Sequence, residues 1–450
     1  MAAKHENVKW VDGLRGLASF TVVLTHIARA FDPDLFNPAP GPDTRPRILQ
    51  YPIIRVLPQG RIGVAIFSLV TGYVCALKPI RQIRSSNSPS AFRSISQSAF
   101  RRIPRLVLPT TIATIMAWFL CQFGVFHQAR RCDSWWISVT SPEITPFFGE
   151  AVKSLLLNLI TTWTRSWNIY DGNQWTLLPL LKGAMLIYIA IIGTAGMKSR
   201  YRMMVEMGLF VYFYVANDSA FGMQFFFGAF LSDLSQHPPH IHWLSHRPSL
   251  AYTLSPILIL SGLYLASYPE GKPELASWSN SLHSLSTYIF PSEPDVPRFY
   301  TGVGLDLIAL GIHFSPQVKT ALSNRHLLWL GKNSFAVYLI HGTLMRTLLI
   351  WILYGVKVPE DGKDEKGEVV RGVMRMCGRW RWYSGIAVWL VVLYVCADAW
   401  TRWVDPWCGR VTKRLERYVF EEDSGMVSPG GNGSGSGGVG LGGGEKRLLG

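Results

Sequence analysis

The chain has 450 residues, of which 48% are apolar and only 16% charged, and its formal net charge is +15. The apolar residues gather into long runs, which excludes a string of soluble domains and points to one large membrane-embedded bundle. The positive charge sits in loops beside those runs, so it reads as a topology signal and a contact with anionic lipid, not as a nucleic-acid surface.

In chain order, the pattern predicts an all-α, polytopic membrane protein with about ten transmembrane helices, within a range of nine to eleven, in one bundle. The expected spans are 12–31, 62–79, 106–126, 175–197, 203–216, 219–234, 250–268, 301–316, 327–354 and 384–404. The pieces 203–216 and 219–234 are short for a crossing and suit tilted or re-entrant helices. The run 151–164 suits an interfacial helix or half-span. Residues 1–9 are polar and the first run lacks a small-residue cleavage site, so that run is expected to be a retained span.

Loop charge sets the expected orientation. Residues 78–105 carry seven basic side chains and no acid. They are placed in the cytosol, with both termini on the same side. The loops at 127–150, 269–300 and 355–383 then lie on the other side. The organelle is left open between the endomembranes and the plasma membrane. Four regions result: a cytosolic N-terminus (1–11), a transmembrane domain (12–404), a charged cytosolic segment (405–423) and a Gly-rich tail (424–450). The tail composition cannot bury a core. Its formal G-x-G-x-x-G at Gly438, Gly440 and Gly443 has neither a strand before it nor a helix after it, so it is no nucleotide fingerprint.

Six scattered cysteines form no C-x-x-C pair, so neither a zinc framework nor a redox motif is indicated. Cys132 and Cys377 fall in loops on one expected side; a disulfide and two free thiols are both open there, with free thiols favoured. The stretch "HPPHIHWLSH" clusters His237, His240, His242 and His246 without Cys or acids, and it reads as a solvated loop with no metal.

The first span opens "DGLRGLASFTVVLTH". Asp12, Arg15, Ser19, Val22 and His26 are spaced three or four apart and share one helical stripe. Helical rise puts His26 about 16 Å deeper than Arg15. Charged and imidazole groups at such depth face a protein interior or a wet cavity. One reading is structural: Asp12 pairs with Arg15, and His26 bonds a neighbouring helix. The other is chemical: an imidazole shielded from water favours its neutral form and can take a proton from a hydroxyl group.

This opening resembles the signature of the membrane acyltransferase-3 family, D-G-L-R-G followed by an apolar run and His. Further resemblances follow in order: "GRIGVAIFSLVTGYV" at 60–74, "FRRIPRLVLP" at 100–109, "NQWTLLPLLKGAM" at 173–185 and "LLWLGKNSFAVYLIHG" at 327–342. Together they run over residues 8–404 and are most similar to the fungal branch. The resemblance implies an O-acyltransferase that moves an acyl group, acetyl foremost, from acyl-CoA to a hydroxyl of a metabolite, lipid or sugar. By motif position it implies His26 as the general base and Arg15, Arg102 and Arg105 as donor-binding groups. Guanidinium groups suit phosphate physically, although a positive-inside stop explains the same arginines. Asp12 and His341 join the candidate catalytic set, with His341 expected to line the cavity of His26. Trp175 is the candidate wall of the acyl site. The expected partners are membrane lipid and a small-molecule or glycan acceptor, with no metal and no nucleic acid.

The W-T block departs from the fungal pattern W-T-I-P-V-E-F-R-G. The glutamate position, five residues after Trp175, is Leu180; the proline is shifted to Pro179, and the arginine position is Lys182. Asp12, Asp218 and Asp306 are the candidate replacement acids. The departure keeps a catalytically impaired member open, and a transporter or flippase with the same polar stripe is the reading from another class.

Overall fold

The computed structural model describes residues 3–85, 88–363 and 369–420. The Gly-rich tail and its G-x-G-x-x-G lie outside the described residues. Apart from one two-residue antiparallel ladder, Gly362–Lys363 with Val369–Val370, and the isolated bridge of Cys132 with Met374, the described fold is helical.

The principal helices are α1 (Ala3–Phe31), α2 (Arg61–Arg84), α3 (Ser88–Gln122), α4 (Phe148–Arg165), α5 (Leu177–Thr194), α6 (Ser199–Val215), α7 (Gly222–Leu234), α8 (Ser249–Ala266), α9 (Val296–Phe314), α10 (Arg325–Leu344) and α11 (Arg379–Phe420). Each of the ten expected spans overlaps one of them, with bounds that differ most at α3, α10 and α11. Among the described residues, five stretches are long and apolar enough to cross a membrane: Arg61–Arg84, Pro89–Gln122, Gly172–Thr194, Arg325–Tyr354 and Arg379–Phe420. This makes the chain an integral membrane protein. The remaining helices are shorter or more charged: α6 has 17 residues and α7 has 13. Helix α4 is the amphipathic element at 151–164; it packs on α3 and α5 and leaves Leu156, Leu157 and Ile160 exposed.

Helix α1 is the central element. It packs against α10 on one side and α2 on the other. The approach to α10 is close because small residues meet: a Cβ at Gly331 would lie 2.0 Å from the Asp12 carbonyl oxygen, and one at Gly16 would lie 2.6 Å from the Gly331 nitrogen. In lipid there is no hydrophobic drive between helices, so such backbone-to-backbone packing is what holds them. The glycines of the D-G-L-R-G motif are therefore contact residues. Across α2, α6 and α7 the fastening is ionic. Asp233 is fully buried and accepts from Arg202 Nε at 2.6 Å, Arg202 Nη2 at 2.9 Å and Arg84 Nε at 3.0 Å. A buried carboxylate held by two guanidinium groups is costly to break by removing one partner.

The helical structure departs from the expected outline in two places. The His-rich stretch contains a helix, Pro238–Ser245, in which His240 reaches His313 at 2.8 Å. The segment after 404 does not separate from the bundle, since α11 runs unbroken through Pro406 to Phe420. All six cysteines are unbridged, including Cys132 and Cys377.

Candidate active site

Two cavities enter the bundle from opposite ends. The first, about 990 Å³, is lined by Val22, His26, Trp136, Trp167 and Trp175, with Arg29, Arg61 and Arg298 among its charged groups. The second, about 680 Å³, is lined by Arg15, Lys78, Arg101, Arg102, Arg105 and Lys332, with Asp405 as its acid. Four residues line both: Phe67, Thr176, Leu180 and Tyr338. The stripe on α1 thus serves both spaces, with Arg15 on the basic cavity and Val22 and His26 on the other.

His26 Nδ1 lies 2.7 Å from His341 Nε2, and the rings are nearly parallel at 3°. His341 Nδ1 lies 2.9 Å from the carbonyl oxygens of Val337 and Tyr338. Carbonyls only accept, so His341 Nδ1 carries a proton. In a neutral ring its Nε2 is then bare and accepts from His26 Nδ1–H. The remaining nitrogen of His26, Nε2, is left with a lone pair. Trp136 stacks on the same ring at 5.4 Å and 17°. It stands on a short helix, Trp135–Thr140, that Ser134 ties to α1 by donating to the Ala30 carbonyl at 2.6 Å. His26 is partly accessible, whereas His341 is fully buried and absent from the lining of either cavity. His341 therefore sits behind His26 and not, as expected, on the same cavity wall; a helix that hydrogen-bonds the ring through its own carbonyls holds it inside.

The "NQWT" turn before α5 is fixed by a buried polar network. Asp171 accepts from the Asn173 backbone N–H at 3.3 Å, and Asn168 donates to Gln174 Oε1 at 3.0 Å. Arg346 donates to the Tyr170 carbonyl at 3.0 Å from a π-helical turn, Met345–Leu349, and lines the His26 cavity. The Tyr338 hydroxyl donates to the Asn173 carbonyl and lies 2.8 Å from Thr176 Oγ1. Trp175, held by this turn, faces the His26 cavity and not the basic one; the Arg298 guanidinium lies 5.7 Å from its ring centre.

In the basic cavity, Arg102 Nη2 donates to Thr71 Oγ1 at 3.1 Å, Arg101 pairs with Glu416 at 3.1 Å, and Arg105 is exposed. Asp405, Cys408 and Gly409 of α11 close this side. Asp12 lies 3.5 Å from Arg15, half exposed, and lines neither cavity. Asp218 caps α7 by accepting from the Gly222 N–H at 2.9 Å, and Asp306 is buried away from both cavities. None of the three stands where Leu180 replaces the expected acid. Sequence reasoning missed Trp136, Asp171, Arg346 and the α11 residues. Trp136 and Asp171 fell between expected spans, where no periodicity marks them, and Arg346 fell inside the expected span 327–354 among apolar neighbours, though the short spacing from Asn168 to Gln174 marked a polar cluster.

The class that the fold defines is an integral membrane protein, an all-helical bundle with a basic cavity at one end and the cavity of His26 at the other. The model of the acyltransferase domain family matches residues 8–397. The chain belongs to the acyltransferase-3 family and is an acyltransferase. It is 23% identical to acyltransferase R4 of Phoma sp. (strain ATCC 20986 / MF5453), over 75% of this chain and 82% of that protein. It is 25% identical to the O-acetyltransferase PaAT-1 of Phomopsis amygdali, over 76% and 73%, and 23% identical to acyltransferase clz18 of Cochliobolus lunatus, over 75% and 82%. No solved structure matches it.

Proposed function

We propose that this chain transfers an acyl group, acetyl foremost, from acyl-CoA to a hydroxyl of a metabolite, lipid or sugar. The observation that carries the reading is the division of one bundle into a basic cavity and a histidine cavity with a common border. The donor's phosphates lie against Arg15, Arg102 and Arg105, and planar guanidinium groups suit them. The acceptor occupies the cavity of His26, between Trp136 and Trp175. The Phomopsis relative, an O-acetyltransferase, favours acetyl and a hydroxyl acceptor.

In this scheme His26 Nε2 takes the hydroxyl proton as the oxygen attacks the thioester carbonyl. The C–S bond then breaks, and the leaving thiolate receives that proton from His26 Nε2–H. Ester and free coenzyme A are the products, and no acyl-enzyme intermediate is needed. His341 Nε2 accepts from His26 Nδ1–H throughout, fixing the ring and stabilising its transient positive charge. Both termini and the basic cavity are assigned to the cytosol, where the donor arrives.

The test uses membranes expressing the chain, labelled acetyl-CoA and a metabolite extract from a strain deleted for it. Label should appear in a metabolite that the deletion strain lacks in acylated form. Substrate passage across sealed vesicles without any release of coenzyme A would replace this reading with a transporter.

A further inference from the structure

We infer that Phe67, Thr176, Leu180 and Tyr338 form a throat for the acyl end of the donor, and that it admits slender, unbranched acyl groups and rejects branched or aromatic ones. The inference rests on the proposed donor route from the basic cavity to His26. These four residues line both cavities, so the proposed route from the arginines to the imidazole crosses the border they form. They come from three helical regions: Phe67 from α2, Thr176 and Leu180 from the turn and first residues of α5, and Tyr338 from α10.

One side of the throat is clamped. The Tyr338 hydroxyl gives its proton to the Asn173 carbonyl, so Thr176 Oγ1–H donates to the phenol oxygen at 2.8 Å. Neither side chain swings aside without losing hydrogen bonds in a site shielded from water. The other side is apolar, made by Phe67 and Leu180. Leu180 follows Thr176 by one helical turn and lies on the same face of α5. Such an opening resists width and not length: a linear chain keeps one cross-section along its run and extends into the larger cavity beyond, about 990 Å³.

The experiment measures coenzyme A release from butyryl-CoA and benzoyl-CoA by full-chain membranes supplied with the metabolite extract. Intrinsic thioester reactivity cancels when the benzoyl-to-butyryl rate ratio of each variant is divided by that of the wild type. Leu180→Ala and Phe67→Leu should each raise the ratio roughly tenfold, the scale expected when a small change in pocket volume alters fit. Leu180→Phe should lower release from butyryl-CoA and acetyl-CoA alike, since both present one methylene-wide cross-section to the narrowed border. An unchanged ratio in Leu180→Ala and Phe67→Leu, with folded protein confirmed by thermal melting, overturns the throat alone. Failure of the wild type to bind coenzyme A overturns the donor reading and the throat with it.

Discussion

Which nitrogen of His26 is free follows from two obligatory acceptors. The helix carbonyls of Val337 and Tyr338 fix the proton on His341, and His341 in turn fixes the proton on His26. A single side-chain contact at 2.7 Å therefore decides which His26 nitrogen keeps its lone pair. His341→Ala should lower kcat while leaving the donor KM nearly unchanged, because the ring it orients is not part of the donor cavity. His341→Gln should recover part of the rate, since an amide oxygen can accept from His26 Nδ1–H. Steady-state kinetics of the two variants checks this; equal losses in both would mean that the site needs packing and not an acceptor.

At the scale of elements, the pairing of α1 with α10 builds the site, and glycine contacts permit it. Gly331→Val would push a side chain into the Asp12 carbonyl, which an ideal Cβ already meets at 2.0 Å. The helices would part, and the His26–His341 bond with them. The expected result is a lower melting temperature and loss of transfer, whereas Gly193→Ala, with nothing within 4 Å of its Cβ, should melt like the wild type. The sequence displayed this much: the stripe of Asp12, Arg15, Ser19, Val22 and His26 was readable from its spacing, and so was the placement of ten helices. It did not display the partner of His26, because an i, i+4 pattern describes one helix face and not what faces it. The depth of His341, the stacking of Trp136 and the helical continuation past 404 depend on tertiary contacts between distant segments. The shift of Trp175 to the histidine side has the same origin, in a turn fixed by Asn168, Asp171 and Gln174.

Over the whole molecule, basic side chains line both cavities, and those of the second face one acid, Asp405, against Glu270 and Asp295 in the first. Lys78, Arg101, Arg102 and Arg105 of one loop-to-helix segment converge on one cavity with Arg15 and Lys332, which lie far from it in sequence. Loop counting saw the cluster at 78–105 only as a topology signal, since charge density alone does not distinguish a lipid contact from a phosphate site. Arg102→Ala combined with Arg105→Ala should raise the donor KM about tenfold or more while kcat changes little, as expected for charge-assisted phosphate contacts made equally in ground and transition states. Leu180, which stands where an acid was expected, has no substitute among Asp12, Asp218 or Asp306 at the shared border. On the proposed mechanism proton transfer falls to the histidine pair, and the carboxylates of the His26 cavity are Glu270 and Asp295.

The most direct measurement is acceptor-dependent release of coenzyme A from acetyl-CoA by the purified full chain, set beside the same measurement on His26→Ala. The wild type should release thiol only when the metabolite extract is present, and His26→Ala should fall by about 10²–10⁴-fold with its melting temperature retained. Undiminished release by a folded His26→Ala protein would contradict proton transfer by this imidazole.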